Sequence, residues 1–197
     1  MKIETRIFKC FDPSFVDFQR IVFDAFVQEQ SWAIPSTDAR VNETICDAES
    51  SFLGLYINKQ LVGGLRLTHF FSSHNPYASY FEKCILLDDP TMRPVLMTRL
   101  CMDKKFRGLR PGVLQGKSLA RVLFESADRA SLALGFNVIL LSTCKETALD
   151  FIRKDAAYRS LPGGGRVHQD WELFHLAKVL TGVGEQKSIK PRRVVGV

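Results

Sequence analysis

Apolar residues recur at two different spacings along the chain, and each change of spacing marks a predicted element. Alternation in KIETRIF predicts a first strand. After Pro13, apolar residues return every three or four positions, which predicts a first helix over PSFVDFQRIVFDAFVQEQ. The following stretch, SWAIPSTDARVNETICDAES, is polar and irregular, so we expect a long loop that shapes a site or acts as a lid.

The second part of the chain returns to strand-like patterns. SFLGLYI and LVGGLRLTHF flank the polar residues 58–60, which predicts an antiparallel hairpin. After an irregular stretch at 71–92, PVLMTRLCMD predicts a strand, and GKSLARVLFESADRASLAL predicts a helix that ends at Gly135. FNVILLST then predicts a strand, KETALDFIRKDAAYR a helix, and WELFHLAKVL a final strand or strand pair.

This order of elements predicts the fold class. Strands and helices alternate around a strand–loop–helix–strand crossover, which is typical of an α/β protein with a mixed sheet. A length of 197 residues favours one domain. We assign residues 1–180 to that domain and residues 181–197 to a basic C-terminal tail. Gly63 and Gly64 lie inside a predicted strand, where they indicate a bulge or a close approach of another backbone.

Positive charge is concentrated in one segment rather than spread over the chain. Residues 99–129 contain eight Lys and Arg against three acids, whereas the formal net charge of the whole chain is +6. Such a segment attracts an anionic partner. It lacks the spaced aromatic residues of a base-stacking surface and any helix-turn-helix or RNP pattern, so nucleic acid is not the expected partner.

Other classes of protein are excluded by what the chain lacks. No apolar run is long enough to span a bilayer, and MKIETRIFK has no apolar secretion signal, so we expect a soluble cytoplasmic protein without a transmembrane segment. The five cysteines are odd in number and form no CxxC pair. They predict structural thiols rather than a disulfide framework or a metal site.

The stretch RPGVLQGKSLARVL, residues 110–123, is similar to a phosphate-binding loop that leads into a helix. A nucleotide-binding Walker A loop needs four residues between its first Gly and Gly-Lys-Ser/Thr. Here Gly112 and Gly116 are separated by three residues, and Pro111 stands where Gly is required. The loop is therefore expected to present its amides to another anion, such as the pyrophosphate of coenzyme A or the phosphate of a carrier-protein pantetheine arm.

MDKKFRG before this loop, followed by a Gly-containing turn and a helix, resembles the GNAT acyltransferase superfamily. The turn is lengthened to LRPGVLQG. The resemblance implies a GNAT-like mixed, mostly antiparallel sheet and an acyl-CoA or acyl-phosphopantetheine donor, with no metal. It also implies a strand that pairs with the pantetheine amide and loop amides that hold phosphate. The corresponding residues are Leu100, Cys101, Met102, Arg107, Gly108, Gly112, Gln115, Gly116, Lys117 and Ser118.

The first half of the chain resembles one branch of that superfamily, the acyl-homoserine lactone synthases and long-chain N-acyl amino acid synthases. The similar stretches are DAFVQEQSW, VGGLRL and MTRLCMD, with Asp47 between the first two. The branch implies a set of substrate-binding residues, Trp32, Arg66, Arg99 and Ser142. Two positions differ from the usual pattern, because Val22 replaces an Arg of the first helix and Leu96 replaces a strand Glu. The differences concern homoserine lactone formation more than N-acylation.

Acyl transfer to an amine needs a base, a held thioester carbonyl and a proton for the departing thiolate. The candidate bases are Asp47, Glu29 and Glu43, and Asp47 is the first choice because it precedes a strand expected to edge the cleft. Arg66 and Arg99 lie among apolar neighbours, where a charge needs a partner. An ion pair with one of these acids would serve structure alone or would organise the acceptor or acyl-chain pocket.

The proton donor is less well defined. Many GNAT enzymes use a Tyr in the helix after the fifth strand, but Phe151 stands at the matching place and Tyr158 follows two turns later. A covalent route through Cys101 or Cys144 has no His partner that the sequence identifies.

These observations predict an N-acyltransferase that moves an acyl group from acyl-CoA or acyl carrier protein to the amine of a small molecule, such as an amino acid. One alternative is a short-chain N-acetyltransferase acting on a protein or small amine. Another is a non-catalytic module that binds CoA or a carrier. The many phenylalanines of the first half would line an acyl tunnel in the first case, although core packing accounts for them equally well.

Overall fold

The computed structural model describes residues 1–32, 36–41, 44–75, 77–81, 84, 87–144, 150, 155, 157–161, 166–168 and 171–180. Its strands are β1 (Ile3–Phe8), β2 (Ser36–Thr37), β3 (Arg40–Val41), β4 (Ser51–Ile57), β5 (Gln60–His69), β6 (Pro94–Met102), β7 (Val138–Cys144), β8 (Tyr158–Ser160), β9 (Arg166–His168) and β10 (Trp171–Val179). Its α-helices are α1 (Ser14–Val22), α2 (Thr44–Glu49) and α3 (Leu119–Ala133), with a π-helical continuation of α1 at Phe23–Gln28 and short 3₁₀ segments at Ala78–Phe81, Lys104–Phe106 and Gly112–Leu114.

The main sheet has the strand order β1–β4–β5–β6–β7–β10–β8, and β9 also pairs with β10. Strands β6 and β7 are parallel and every other neighbouring pair is antiparallel. The parallel pair is joined through α3, as a crossover connection requires. The predicted fold class, a mixed and mostly antiparallel sheet with a strand–loop–helix–strand centre, is confirmed.

Local sequence signals explain three of the boundaries. Asn58 and Lys59 both have positive φ, 48° and 71°, which gives the tight hairpin turn whose twist suits β4 and β5. Helix α3 begins after Ser118, whose side chain accepts a hydrogen bond from the Arg121 N–H at 3.2 Å. Just beyond its end, Gly135 adopts a φ of 87°, which stops the helix as predicted.

Helices cover both faces of the sheet. On one side, here called the α3 face, Leu119 and Leu123 pack against Leu65 and Ile139. On the other side, the α1 face, Phe18 packs against sheet residues that include Phe52. The Ala78–Phe81 segment covers the neighbouring part of that face through Phe81. No helix among the described residues is both long enough and apolar enough to cross a membrane.

Two expectations about secondary structure are wrong. The stretch at 31–50 contains the β2–β3 ribbon and α2, so it is not a structureless loop. Tyr158 does not end a helix but begins β8, because the backbone of β8 pairs with an edge of β10 that would otherwise be open. Phe151, Glu43 and the tail at 181–197 lie outside the described residues.

Candidate functional site

Strands β6 and β7 run side by side only at their beginnings. Their register pairs extend from Pro94 with Val138 to Met97 with Leu141. Beyond these pairs the two strands continue to Met102 and Cys144, and residues 98–102 share no register pair with residues 142–144. We call this opening the fork. Diverging strands expose backbone N–H and C=O groups, with which an extended ligand can pair.

A β-bulge in β6 bends the strand at the fork. The β5–β6 register shifts between Gly64 and Arg66, where Arg99 has a φ of 54°. Positive φ at a side-chain-bearing residue is uncommon and often occurs at functional sites. A Cβ on Gly63 would lie 2.8 Å from the carbonyl oxygen of Cys101. The bulge and the close backbone approach predicted from Gly63 and Gly64 are therefore confirmed.

Arg66 is fully buried beneath α1 and has a carboxylate partner. Its side chain is 1% exposed and that of Asp47 is 9% exposed. Nη1 of Arg66 donates to Oδ1 of Asp47 at 2.9 Å, and Nε donates to Oγ1 of Thr98 at 3.0 Å. A buried charge needs such compensation. The predicted ion pair of Arg66 with an acid is confirmed, and Asp47 is the acid.

Polar contacts fix α2, which carries Asp47, onto β5. The Ser50 hydroxyl donates to the carbonyl oxygen of Cys46 at 2.6 Å. Ser50 and Thr68 are also joined hydroxyl to hydroxyl at 2.8 Å. Because the single hydroxyl hydrogen of Ser50 is already used, Thr68 is the donor in that second bond. Asp47 is thus held in place from two directions, by Arg66 and by the end of its own helix.

Arg99 lies beside aromatic side chains at the start of the fork. Its Nη2 donates to the Tyr77 hydroxyl at 3.3 Å, and its guanidinium is 5.7 Å from the centre of the Phe26 ring. Trp32 packs on Phe26 with ring centres 4.9 Å apart. Phe26, which belongs to the π-helical segment, thus contacts both of the predicted residues Trp32 and Arg99.

A cleft joins these elements on the α1 face, and we call it the arginine cleft. It has an empty volume of about 210 Å³, part of which is open to solvent. Its lining residues are Phe15, Phe18, Gln19, Val22, Val41, Asp47, Arg66 and Arg99. Asp47, Arg66 and Arg99, which were predicted separately from sequence, therefore come together in one place.

Glu29 does not lie in this cleft. It forms a bidentate ion pair with Arg107, with Nη1–Oε2 and Nη2–Oε1 distances of 2.5 and 2.9 Å. Nε of Arg107 also donates to the carbonyl oxygen of Met102 at 2.8 Å. The hydrogen bonds from Arg107 lower the pKa of Glu29 below its ordinary value. Asp47 is the better placed candidate because it lines the cleft, whereas Glu29 lies outside it and is held by Arg107.

The predicted phosphate-binding loop, residues 107–118, is called the glycine loop below. Gly108 and Gly116 have positive φ, and a Cβ at either position or at Gly112 would meet nothing within 4 Å. The space above the loop is therefore open to a ligand. The amides of Leu114, Gln115 and Lys117 form hydrogen bonds within the loop. The Lys117 ammonium pairs with Glu125 of α3 at 2.9 Å, away from the glycines' backbone.

Two residues considered for covalent or acid catalysis are poorly suited to it. Burial raises the pKa of the Cys101 thiol to about 12, so this cysteine stays protonated and is a weak nucleophile. Tyr158 is buried in the core cluster beneath α3, and its ring lies 5.2 Å from the ammonium of Lys178. Burial raises the pKa of Tyr158 as well.

Ser142, the fourth predicted substrate-binding residue, lies on β7 at the start of the fork. Its Oγ is 2.9 Å from Nδ1 of His175, which is its register partner on β10. Sequence analysis did not identify the partnership of His175 or the contacts of Tyr77 and Thr98. These contacts join residues far apart in the chain, so they cannot be predicted from the local sequence pattern.

No protein-family model and no curated protein sequence matches the chain. Solved structures do match. BjaI, a CoA-dependent acyl-homoserine lactone synthase solved with SAM and isopentyl-CoA, is similar with a TM-score of 0.72 at 15% identity, over 91% of this chain and 84% of that chain. FeeM, an N-acyl amino acid synthase from uncultured soil microbes, gives 0.65 at 14% identity over 91% of both chains.

A third structure broadens the comparison beyond the synthases. An acyl-CoA N-acyltransferase from Pseudomonas aeruginosa is similar with a TM-score of 0.61 at 15% identity, over 90% of this chain and 100% of that chain. All three proteins transfer or join acyl groups according to their names. This chain has their fold, the GNAT-like mixed and mostly antiparallel sheet that its sequence predicted.

Proposed function

We propose that this protein is an N-acyltransferase that moves an acyl group from acyl-CoA or acyl carrier protein to the amine of a small molecule, such as an amino acid. One observation carries the proposal. The fork, which suits an extended thioester donor, opens at Arg99 into a cleft that holds a fixed carboxylate, Asp47. A donor bound in the fork and an acceptor bound in the cleft would thus meet near Arg99, as direct acyl transfer requires.

On the donor side, the edge of β6 at residues 100–102 would pair with the pantetheine amides. The glycine loop would then receive the phosphates, since the space above Gly108, Gly112 and Gly116 is open. Exposed Lys104 and Lys105 precede the loop and exposed Arg110 lies within it, and these charges supply an attractive field for an anionic donor. A helix N-terminus follows at Ser118, with the partial positive charge that favours phosphate.

On the acceptor side, the amine would enter the arginine cleft. Asp47 would take a proton from the attacking nitrogen through a water molecule, because its Oδ1 is already held by Arg66. Arg99 at the cleft wall suits an acceptor that carries a carboxylate. The amine nitrogen then bonds to the thioester carbon and the sulfur departs, without an acyl-enzyme on the protonated Cys101 thiol.

A second candidate is a short-chain N-acetyltransferase, and the packing beneath α1 favours it. Phe8, Phe15 and Phe18 lie with their ring centres 5.4, 5.0 and 5.3 Å from that of Phe52. These rings fill the space in which a long acyl chain would have to lie, and the arginine cleft is small. A long-chain donor would require α1 to move away from the sheet.

The experiment is a donor panel from acetyl to palmitoyl thioesters, of CoA and of acyl carrier protein, with a mixture of amino acids and small amines. Free-thiol release gives the rate, and mass spectrometry identifies the acylated product. We expect amide formation that falls at least tenfold in Asp47→Asn. Peak turnover at acetyl supports the second candidate. Binding of CoA without turnover of any donor would contradict both and favour a non-catalytic module.

A further inference from the structure

We propose that Ser142 and His175 stabilise the thiolate that leaves during acyl transfer: the Ser142 hydroxyl donates a hydrogen bond to the departing sulfur, and His175 positions that hydroxyl. The inference rests on the proposed function, because it needs a thioester in the fork. It assigns a partner to the leaving group, for which the sequence offered only Tyr158, because Phe151 stands where many GNAT enzymes have a Tyr.

The position of Ser142 along β7 supports this role. Leu141 forms the last register pair with β6, so Ser142 is the first residue of β7 inside the fork. Side chains alternate along a strand. Leu141 packs beneath α3 and Leu140 packs with Phe81, which places Ser142 on the α1 face with the arginine cleft. A thioester that reaches that cleft through the fork would enter beside Ser142, the first residue of β7 beyond the register pairs with β6.

The surroundings of His175 fix its ring. It is 1% exposed and lies between Tyr80 and Phe81, with ring centres 5.7 and 5.1 Å away. Tyr80 in turn packs on Tyr77 at 5.8 Å, and Tyr77 accepts the hydrogen bond from Arg99. A row of packed side chains therefore connects the Ser–His pair with Arg99 of the arginine cleft, on the same face of the sheet.

The hydrogen bond between the pair determines where the serine hydrogen points. The Oγ–Nδ1 distance is 2.9 Å. When Nδ1 carries the imidazole proton, it donates to Oγ, and the hydroxyl hydrogen remains available to a second acceptor. In the fork, that acceptor is the thioester sulfur. His175 is thus a positioning residue, and Ser142 is the residue that contacts the reacting atoms.

The step conserves atoms and charge. The amine nitrogen forms a bond to the carbonyl carbon, and the C–S bond breaks with both electrons going to sulfur. Ser142 keeps its proton and only donates a hydrogen bond, which is strongest to the negative thiolate and so favours the transition state. The proton that nitrogen loses passes through water to Asp47 and from there to solvent, and the thiolate takes up one proton from solvent, so the products are an amide and a thiol.

The test uses the full chain and the donor that the unmodified protein turns over best. Ser142→Ala should lower kcat about 10- to 100-fold with little change in the donor KM, as expected for a lost hydrogen bond to a charged group. Ser142→Thr should retain most activity. The loss should shrink for an aryl thioester of the same acyl group, since its more acidic thiol needs less stabilisation. Thr143→Ala, one residue further on the opposite face, is the matched control.

Variants of the histidine separate positioning from packing. His175→Asn places an amide N–H near the position of Nδ1 and should retain activity, whereas His175→Phe should reproduce the Ser142→Ala loss. Melting temperatures show that each variant folds. Unchanged kcat in Ser142→Ala, an equal loss for every leaving thiol, or an acyl group found on Ser142 by intact mass would each overturn the inference. Failure of the unmodified protein to use any thioester would contradict the proposed function as well.

Discussion

The arginine cleft and the glycine loop each contain an arginine–carboxylate ion pair, but the pair in the cleft is buried and the pair at the loop is exposed to solvent. In the cleft, the Arg66 and Asp47 side chains are 1% and 9% exposed, whereas the Arg107 and Glu29 side chains at the loop are 39% and 31% exposed. A buried pair cannot exchange its partner for water, but a surface pair can. The proposed acceptor side is therefore organised before any ligand arrives, whereas Arg107 on the proposed donor side would have to leave Glu29 in order to bind a phosphate.

The difference between the two regions requires the buried Arg66–Asp47 ion pair to be essential to the fold. Arg66→Ala should lower the free energy of unfolding by about 3–5 kcal/mol, because it leaves the Asp47 carboxylate buried without its guanidinium. Urea denaturation measures the change. Arg121→Ala, which removes the pairing of Arg121 with Glu125 on the surface of α3, is the matched control and should cost less than about 1 kcal/mol. Equal small losses in both variants would show that the cleft is not organised by this pair.

The bulge that opens the fork can be tested through Gly63. In Gly63→Ala the new methyl group would lie 2.8 Å from the Cys101 carbonyl oxygen, so β6 must shift. We expect a loss of about 1–3 kcal/mol in stability and weaker CoA binding. Gly112→Ala in the glycine loop meets nothing within 4 Å and should be close to neutral for stability. Calorimetry with CoA would contradict the link between bulge and donor site if Gly63→Ala bound CoA as tightly as the unmodified protein does.

The exchange of partners at the loop should appear in the titration of Glu29. Its pKa is lowered by the hydrogen bonds from Arg107, so the pair's stabilisation is present above the ordinary carboxyl pKa and is lost as the pH falls through the lowered value. Arg107→Met should raise this pKa towards its ordinary range. Saturating CoA should do the same if phosphate recruits Arg107. A carboxyl NMR titration that CoA leaves unchanged would mean that Arg107 stays with Glu29.

The smallest expected effect concerns thiol chemistry at the fork. With a thiol pKa of about 12, Cys101 should resist iodoacetamide at neutral pH in the folded protein. Cys10 and Cys144 are only partly buried and should be alkylated first. Peptide mass spectrometry before and after unfolding makes the comparison. Rapid alkylation of Cys101 in the native state would show that its thiol is reactive and would support a mechanism with an acyl group on Cys101.

The sequence predicted those features that depend on local chemistry. The polar turn before Gln60, the stop at Gly135 and the need of Arg66 for an acid follow from turn preferences, helix ends and the cost of a buried charge. The strand at Tyr158 and the Ser142–His175 contact could not be predicted in this way. Both depend on which strands lie beside β10. The hydrophobic periodicity of a segment does not show which distant segment it will pair with.

The most direct test of the donor site is a crystal structure of the protein with an acyl-CoA analogue in which a methylene group replaces the sulfur. We predict that the pantetheine arm lies between β6 and β7 and pairs with the edge at residues 100–102. The acyl carbonyl should face the arginine cleft, and the methylene should lie next to the Ser142 hydroxyl. An analogue that binds through the glycine loop but leaves the fork empty would contradict the account.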